Sequence, residues 1–192
     1  MYRDGSVYDE IDKVINEIYL DYDIKKFPID EVEICKKLGV ALVPYSAFPE
    51  ESRELLEKKS KLGFFVKESK EMPPTIYYND YFGSQGAIRL TIFHELKHYI
   101  FDDDDDDDDD LADYFARHFM GPTAYLMQKG FDSPNEIVSH CGMSMEAAKN
   151  AYLNIVSRRN KYGNNLFDYE VTLINQIEPV LLETYSYEII KK

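Results

Sequence analysis

Apolar side chains recur along the first part of the chain at Ile11, Val14, Ile15 and Ile18. This three-and-four spacing predicts an amphipathic helix over residues 8–20. Pro28-Ile29-Asp30 opens a second helix with Asp30 as its cap, Val32, Ile34, Cys35 and Leu38 on its apolar side, and Gly39 at its end. Three short β-branched or aromatic runs follow, at 40–45, 62–66 and 75–78, each bounded by Gly, Pro or Asn, as strands are. Residues 86–100 are apolar nearly all round, the pattern of a helix in the interior of a fold. After nine consecutive aspartates, Asp102 to Asp110, a helical pattern resumes over 111–120 and stops at Gly121-Pro122.

Beyond Pro122 the pattern is helical. Ser133-Pro134-Asn135-Glu136 reads as a capped helix start, Cys141-Gly142 as a turn, and Ser144 as the cap of a helix with Ala147, Ala148, Ala151, Tyr152, Ile155 and Val156 at helical spacing. Helix, short turn, helix is the helix-turn-helix pattern. Residues 166–190 are apolar and helical in parts, with a bend expected near Pro179. The expected organisation is therefore an α+β domain over residues 1–125, followed by a helical, helix-turn-helix-like appendage over 126–192 packed on it.

Composition narrows the function classes. The net charge is −14, from 22 basic and 36 acidic residues; without the nine consecutive aspartates it is −5. An acidic chain opposes broad binding to nucleic acid or to an anionic membrane. The N-terminal MYRDGSVYDE segment has acids where a secretory leader is apolar, and no run of 18 apolar residues exists to span a bilayer. Cys35 and Cys141 match no metal or redox spacing and read as reduced, packed thiols of a cytoplasmic protein.

The chemistry is concentrated in His94-Glu95-Leu96-Lys97-His98, an H-E-x-x-H motif within the apolar helix. Two histidines four apart share one helical face, so both imidazoles reach one tetrahedral cation, while Glu95 beside them is placed to hold a water. Zinc in a hydrolytic site takes a third protein ligand. Phe101 and Asp104 occupy the places of the Gly and third His in the extended motif, so neither serves in that way. His118 reads as packed or solvated on its helix, and His140 belongs to the appendage. A carboxylate from the helix after the aspartate run is the other solution. Asp109 and Asp113 are four apart and share a face if that helix begins within the run, one able to bind metal and the other to accept a ligand histidine's N–H.

Residues 89–101 (RLTIFHELKHYIF) followed by 111–122 (LADYFARHFMGP) resemble the ImmA/IrrE family of small zinc metallopeptidases. The resemblance covers roughly residues 8–160, with its distinctive motifs confined to 89–122; Lys37–Val43, Gly63 and Ile76–Asn79 resemble the family's lead-in. It implies a zincin-like fold: a short β-sheet, a buried H-E-x-x-H helix and a second ligand helix. It implies His94 and His98 as zinc ligands, Glu95 as catalytic base, Asp109 at the third-ligand position and Asp113 on the family's Asn/Asp. Two departures stand out. Lys97 replaces the usual Gly, which calls for an exit to solvent, and Asp replaces the usual Glu at the third ligand, so the second helix must approach closer. Within the run Asp110, three before Asp113, is an alternative register. The implied activity is zinc-dependent cleavage of an intracellular protein, a helix-turn-helix repressor of a mobile element or stress operon, with the Thr75–Asn79 strand available to pair with an extended substrate. The aspartate run itself reads as a solvated linker. Two other functions compete: a zinc-containing module that sequesters a regulator without cutting it, and a DNA-binding regulator using residues 133–160 with Arg158, Arg159 and Lys161.

Overall fold

A computed structural model describes residues 5–102 and 109–191. The fold is α+β and mostly helical, with a small three-stranded mixed sheet. Residues group into two compact units, Asp30–Ala116 and Met1–Ile29 together with Arg117–Lys192. This division differs from a boundary after residue 125: the first helix groups with the C-terminal helices, not with the sheet. Among the described residues no helix is long and apolar enough to cross a membrane. Six members of the aspartate run, 103–108, lie outside the described residues, and with them the expectation for the run as a linker.

The sheet unit begins with α2 (Glu31–Lys37), capped by Asp30, which accepts the Glu33 N–H at 2.9 Å. Strands β1 (Ala41–Pro44), β2 (Gly63–Val66) and β3 (Thr75–Tyr78) coincide with the three β-like runs. Their order is β1-β3-β2, with β1 parallel and β2 antiparallel to β3. The Thr75–Asn79 strand is therefore central, with both edges already paired, and cannot receive a substrate strand as expected; β2 is an outer strand. Helix α3 (Glu50–Lys59) has no counterpart in the hydropathy pattern because it buries none of its residues. Acids in its first turn and lysines in its last complement the helix dipole, and such a helix carries no apolar periodicity to read.

Helix α4 (Gln85–Phe101) carries the motif. Ser84 caps it, accepting the Ala87 N–H at 3.3 Å. Ile88, Ile92, Phe93 and Leu96 are buried in the core, where Ile76 of β3 is also fully buried. Buried Arg89 donates to Glu31 at 2.8 Å, joining α4 to α2. The approach of β2 to α4 requires glycine at position 63: a Cβ there would stand 2.8 Å from the Tyr77 carbonyl oxygen and 2.9 Å from Thr91 Cγ2. Helix α5 (Asp109–Met120) follows, and its Phe115 meets Phe101 edge-on with ring centroids 6.1 Å apart.

The other unit contains α1 (Gly5–Asp21), the end of α5, α6 (Thr123–Gln128), α7 (Pro134–Cys141), α8 (Met145–Tyr162) and α9 (Asp168–Ile177). Glu136 accepts the Ser133 N–H at 3.1 Å at the start of α7, and Gly142, at φ 65°, ends it in the left-handed conformation that favours glycine. Ser144 caps α8. At Pro179 the chain leaves α9 for a 3-10 turn, the expected bend, and two-residue strands β4 (Leu166–Phe167) and β5 (Ile189–Ile190) pair in parallel. Cys35 and Cys141 are free and buried; burial, with Glu31 adding, pushes the Cys35 thiol up to about 12.

Gly63→Ala is expected to cost about 1–3 kcal/mol, the usual penalty for overpacking, because the Tyr77 carbonyl cannot yield without moving the sheet. Equilibrium urea unfolding measures it.

Candidate metal centre

Within the sheet unit, α4 presents His94 and His98 one turn apart, both half-buried, with ring centroids 5.5 Å apart. The first turn of α5 brings up Asp109. One ligand atom from each of His94, His98 and Asp109 can be chosen so that all three lie within 4.8 Å of one another, and His94 Nε2 is 3.7 Å from Asp109 Oδ1. Ligand bonds of ~2.1 Å in a tetrahedron put donors about 3.4 Å apart, so this last separation is close to what one cation requires. Two neutral imidazoles and a carboxylate are the donor chemistry zinc takes in hydrolytic sites, with a fourth position left for water.

Asp113, one turn further along α5, accepts a hydrogen bond from His94 Nδ1–H at 2.9 Å. An imidazole that donates from Nδ1 keeps its lone pair on Nε2, the atom facing Asp109. Burial alone would lower the His94 pKa. The hydrogen bond to Asp113 and the charges of Glu95, Asp113 and Asp109 outweigh it and raise the pKa above the ordinary histidine value.

Glu95 is raised above the usual carboxylate range, chiefly by burial. The nearby His94 and His98 and a hydrogen bond from the Phe65 N–H of β2 oppose that rise, and Asp109 adds to it. The outer strand thus spends one backbone donor on the motif glutamate. Tyr45, fully buried, senses the same charge: burial first, then Glu95 and Glu57, push it up to about 12 while its hydroxyl donates to the Ser60 carbonyl at 3.0 Å. Neither the Phe65 amide nor Tyr45 is marked in the sequence; a backbone donor has no side-chain signature, and Tyr45 is one of 16 tyrosines.

The site residues anticipated from the motif come together: His94, His98 and Asp109 in one group, with Asp113 behind His94. Asp110 is exposed and lies outside that group. Lys97 departs from expectation. It is not led out to solvent but is 2% exposed, with Nζ 6.0 Å from the centre of the Phe101 ring. It takes a core position on the α4 face next to the ligand face, where a buried ammonium needs polar partners to offset its desolvation.

The other two histidines are engaged elsewhere, in the second unit. His118 is buried, with Nδ1 3.0 Å from Asp12 and Nε2 3.1 Å from the Asn154 amide nitrogen. Because that amide donates, Nε2 accepts, and Nδ1–H donates to Asp12. His140 Nε2 lies 3.0 Å from the Tyr125 hydroxyl, and its ring stacks on Phe27 at 4.9 Å. Burial, helped by the Lys129 charge, lowers the His140 pKa. The C-terminal basic cluster is smaller than its sequence suggests. Arg158 turns inward to form a buried ion pair with Glu170, which itself accepts the Phe167 N–H at 2.8 Å.

No protein-family model matches the chain, and no curated protein matches it.

The three carboxylates at the start of α5 are expected to differ in metal affinity measured by chelator competition. Asp109→Asn should weaken zinc binding most, since an amide is a poor ligand. Asp113→Asn should weaken it by about 10–100-fold through the loss of the His94 partner, and Asp110→Asn should leave it unchanged. A metal loss on Asp110→Asn with Asp109→Asn silent would place the ligand one residue later.

Proposed function

We propose that the protein is a zinc-dependent endopeptidase with a zincin-like catalytic unit, acting on a specific intracellular protein. The observation that carries this reading is the grouping of His94, His98 and Asp109 donor atoms within 4.8 Å of one another, with Glu95 next to His94 on the same helix. A structural zinc site has no use for a glutamate beside its ligands, whereas hydrolysis needs a base there.

Zinc bound to these residues supplies Lewis acidity, polarising the scissile carbonyl and making a water molecule easier to deprotonate. The remaining work falls to the chain itself. Glu95 accepts the proton from the attacking water and delivers it to the leaving amide nitrogen. Its burial favours the protonated form that must exist between those two transfers, and the Phe65 N–H favours the charged form that starts and ends the cycle. Asp113 fixes the tautomer of His94. Of the two outer strands, β1 and β2, it is β2 that lies against α4, and its edge, not that of β3, is offered to an extended peptide, a pairing that reads backbone more than side chains.

The substrate class follows from the resemblance of residues 89–122 to the ImmA/IrrE family: a helix-turn-helix transcriptional repressor of a mobile element or stress operon. Incubating zinc-loaded protein with the repressor encoded beside its gene, followed by mass analysis of fragments, tests both activity and target. Cleavage at one bond is expected. Glu95→Gln should keep the metal and the fold but lose roughly 10²–10⁴-fold in rate, the contribution of a general base. Binding without cleavage by the wild type would favour the sequestering module, and retention of more than a tenth of the rate by Glu95→Gln would remove Glu95 from the role of base.

A further inference from the structure

Helix α8 is apolar on two faces. Ala147, Ala148, Ala151 and Ile155 are buried. At 100° per residue, Met145, Tyr152, Leu153 and Val156 fall with Lys149 and Arg159 on a separate arc of about 120°. That arc faces solvent: Met145 is 42% exposed, Leu153 62% and Val156 37%, and Tyr152 is half-buried. A lone exposed leucine is ordinary, but an apolar stripe at helical spacing on a helix already anchored by its other face marks an interaction surface.

The charges on this arc decide what fits it. Lys149 and Arg159 are both exposed, ten residues or about 15 Å apart along the helix at 1.5 Å per residue. They bracket Tyr152, Leu153 and Val156, with Met145 one turn beyond Lys149 and Glu146 at the margin of the arc. On a chain of net charge −14, two cations on either side of an apolar centre are complementary to an amphipathic helix carrying acids about three turns apart. A second copy fits poorly, since apposing two α8 faces in either direction sets basic groups against basic groups. Duplex DNA fits poorly as well: Leu153 and Val156 in the middle of the stripe offer phosphates no donor, and Arg158 is committed to Glu170. We propose that the solvent face of α8 is a docking surface for an acidic amphipathic helix of a partner protein. This surface is independent of the metal centre, and its use does not require that the protein be a peptidase.

The test uses the full chain and two labelled peptides of about 20 residues, long enough to hold a helix, with Leu at helical spacing flanked by Glu in one and by Lys in the other. Fluorescence anisotropy is expected to show binding of the Glu peptide and not of the Lys peptide. Leu153→Ser should weaken binding by roughly fivefold or more, as for a residue central to an interface. The double variant Lys149→Glu, Arg159→Glu should invert the preference toward the Lys peptide. All three side chains are on the surface, and circular dichroism checks that helix content is unchanged. Absence of binding, equal binding of both peptides, or indifference to these substitutions would overturn the proposal. So would a dimer in sedimentation that Leu153→Ser dissolves, or DNA binding with steep salt dependence in place of peptide binding.

Discussion

The hydrogen bond from His94 Nδ1–H to the Asp113 carboxylate couples the two helices that carry the donor set. It leaves the His94 lone pair on Nε2, and it fixes α5 against α4 at one turn's distance from Asp109, whose carboxylate then stands 3.7 Å from that nitrogen. An aspartate is one methylene shorter than a glutamate, so the third donor reaches the histidines only if the helix backbones come close. Behind the donor set, Phe101 of α4 meets Phe115 of α5 edge-on, with ring centroids 6.1 Å apart.

A second close approach sets the surroundings of Glu95. Gly63 allows β2 to lie on α4 without a Cβ between them, and two residues later the Phe65 N–H meets Glu95. Glu95 is therefore held between opposing influences: burial favours its neutral form, while two imidazoles and a backbone donor favour its charged form. A carboxylate balanced in this way is suited to take up and return a proton within one reaction cycle.

Much of this is legible in the sequence alone, and the reasons are physical. The three strands, α1, α2, α4, α5 and the α7–α8 pair bury an apolar face or carry a capping residue, and both leave a periodic trace in the sequence. Helix α3 buries nothing and leaves none. Strand order was not legible, because hydropathy does not distinguish a central strand from an outer one in so short a sheet; Thr75–Tyr78 is central for that reason unforeseen. The burial of Lys97 leaves no trace in a hydropathy pattern, and that of Arg158 depends on Glu170, 12 residues away on another helix. His94, Glu95 and His98 were the most legible of the site residues because helical spacing alone places them. Asp109 within a homopolymeric run needed the three-dimensional arrangement to separate it from Asp110.

The proposed peptidase chemistry requires zinc at His94, His98 and Asp109. Metal analysis of the purified protein after dialysis against zinc and then against metal-free buffer measures it directly. About one zinc per chain is predicted for a site of two imidazoles and a carboxylate, falling to background in His94→Ala and in His98→Ala. A wild-type protein that retains no zinc, or histidine variants that retain as much as the wild type, would contradict it.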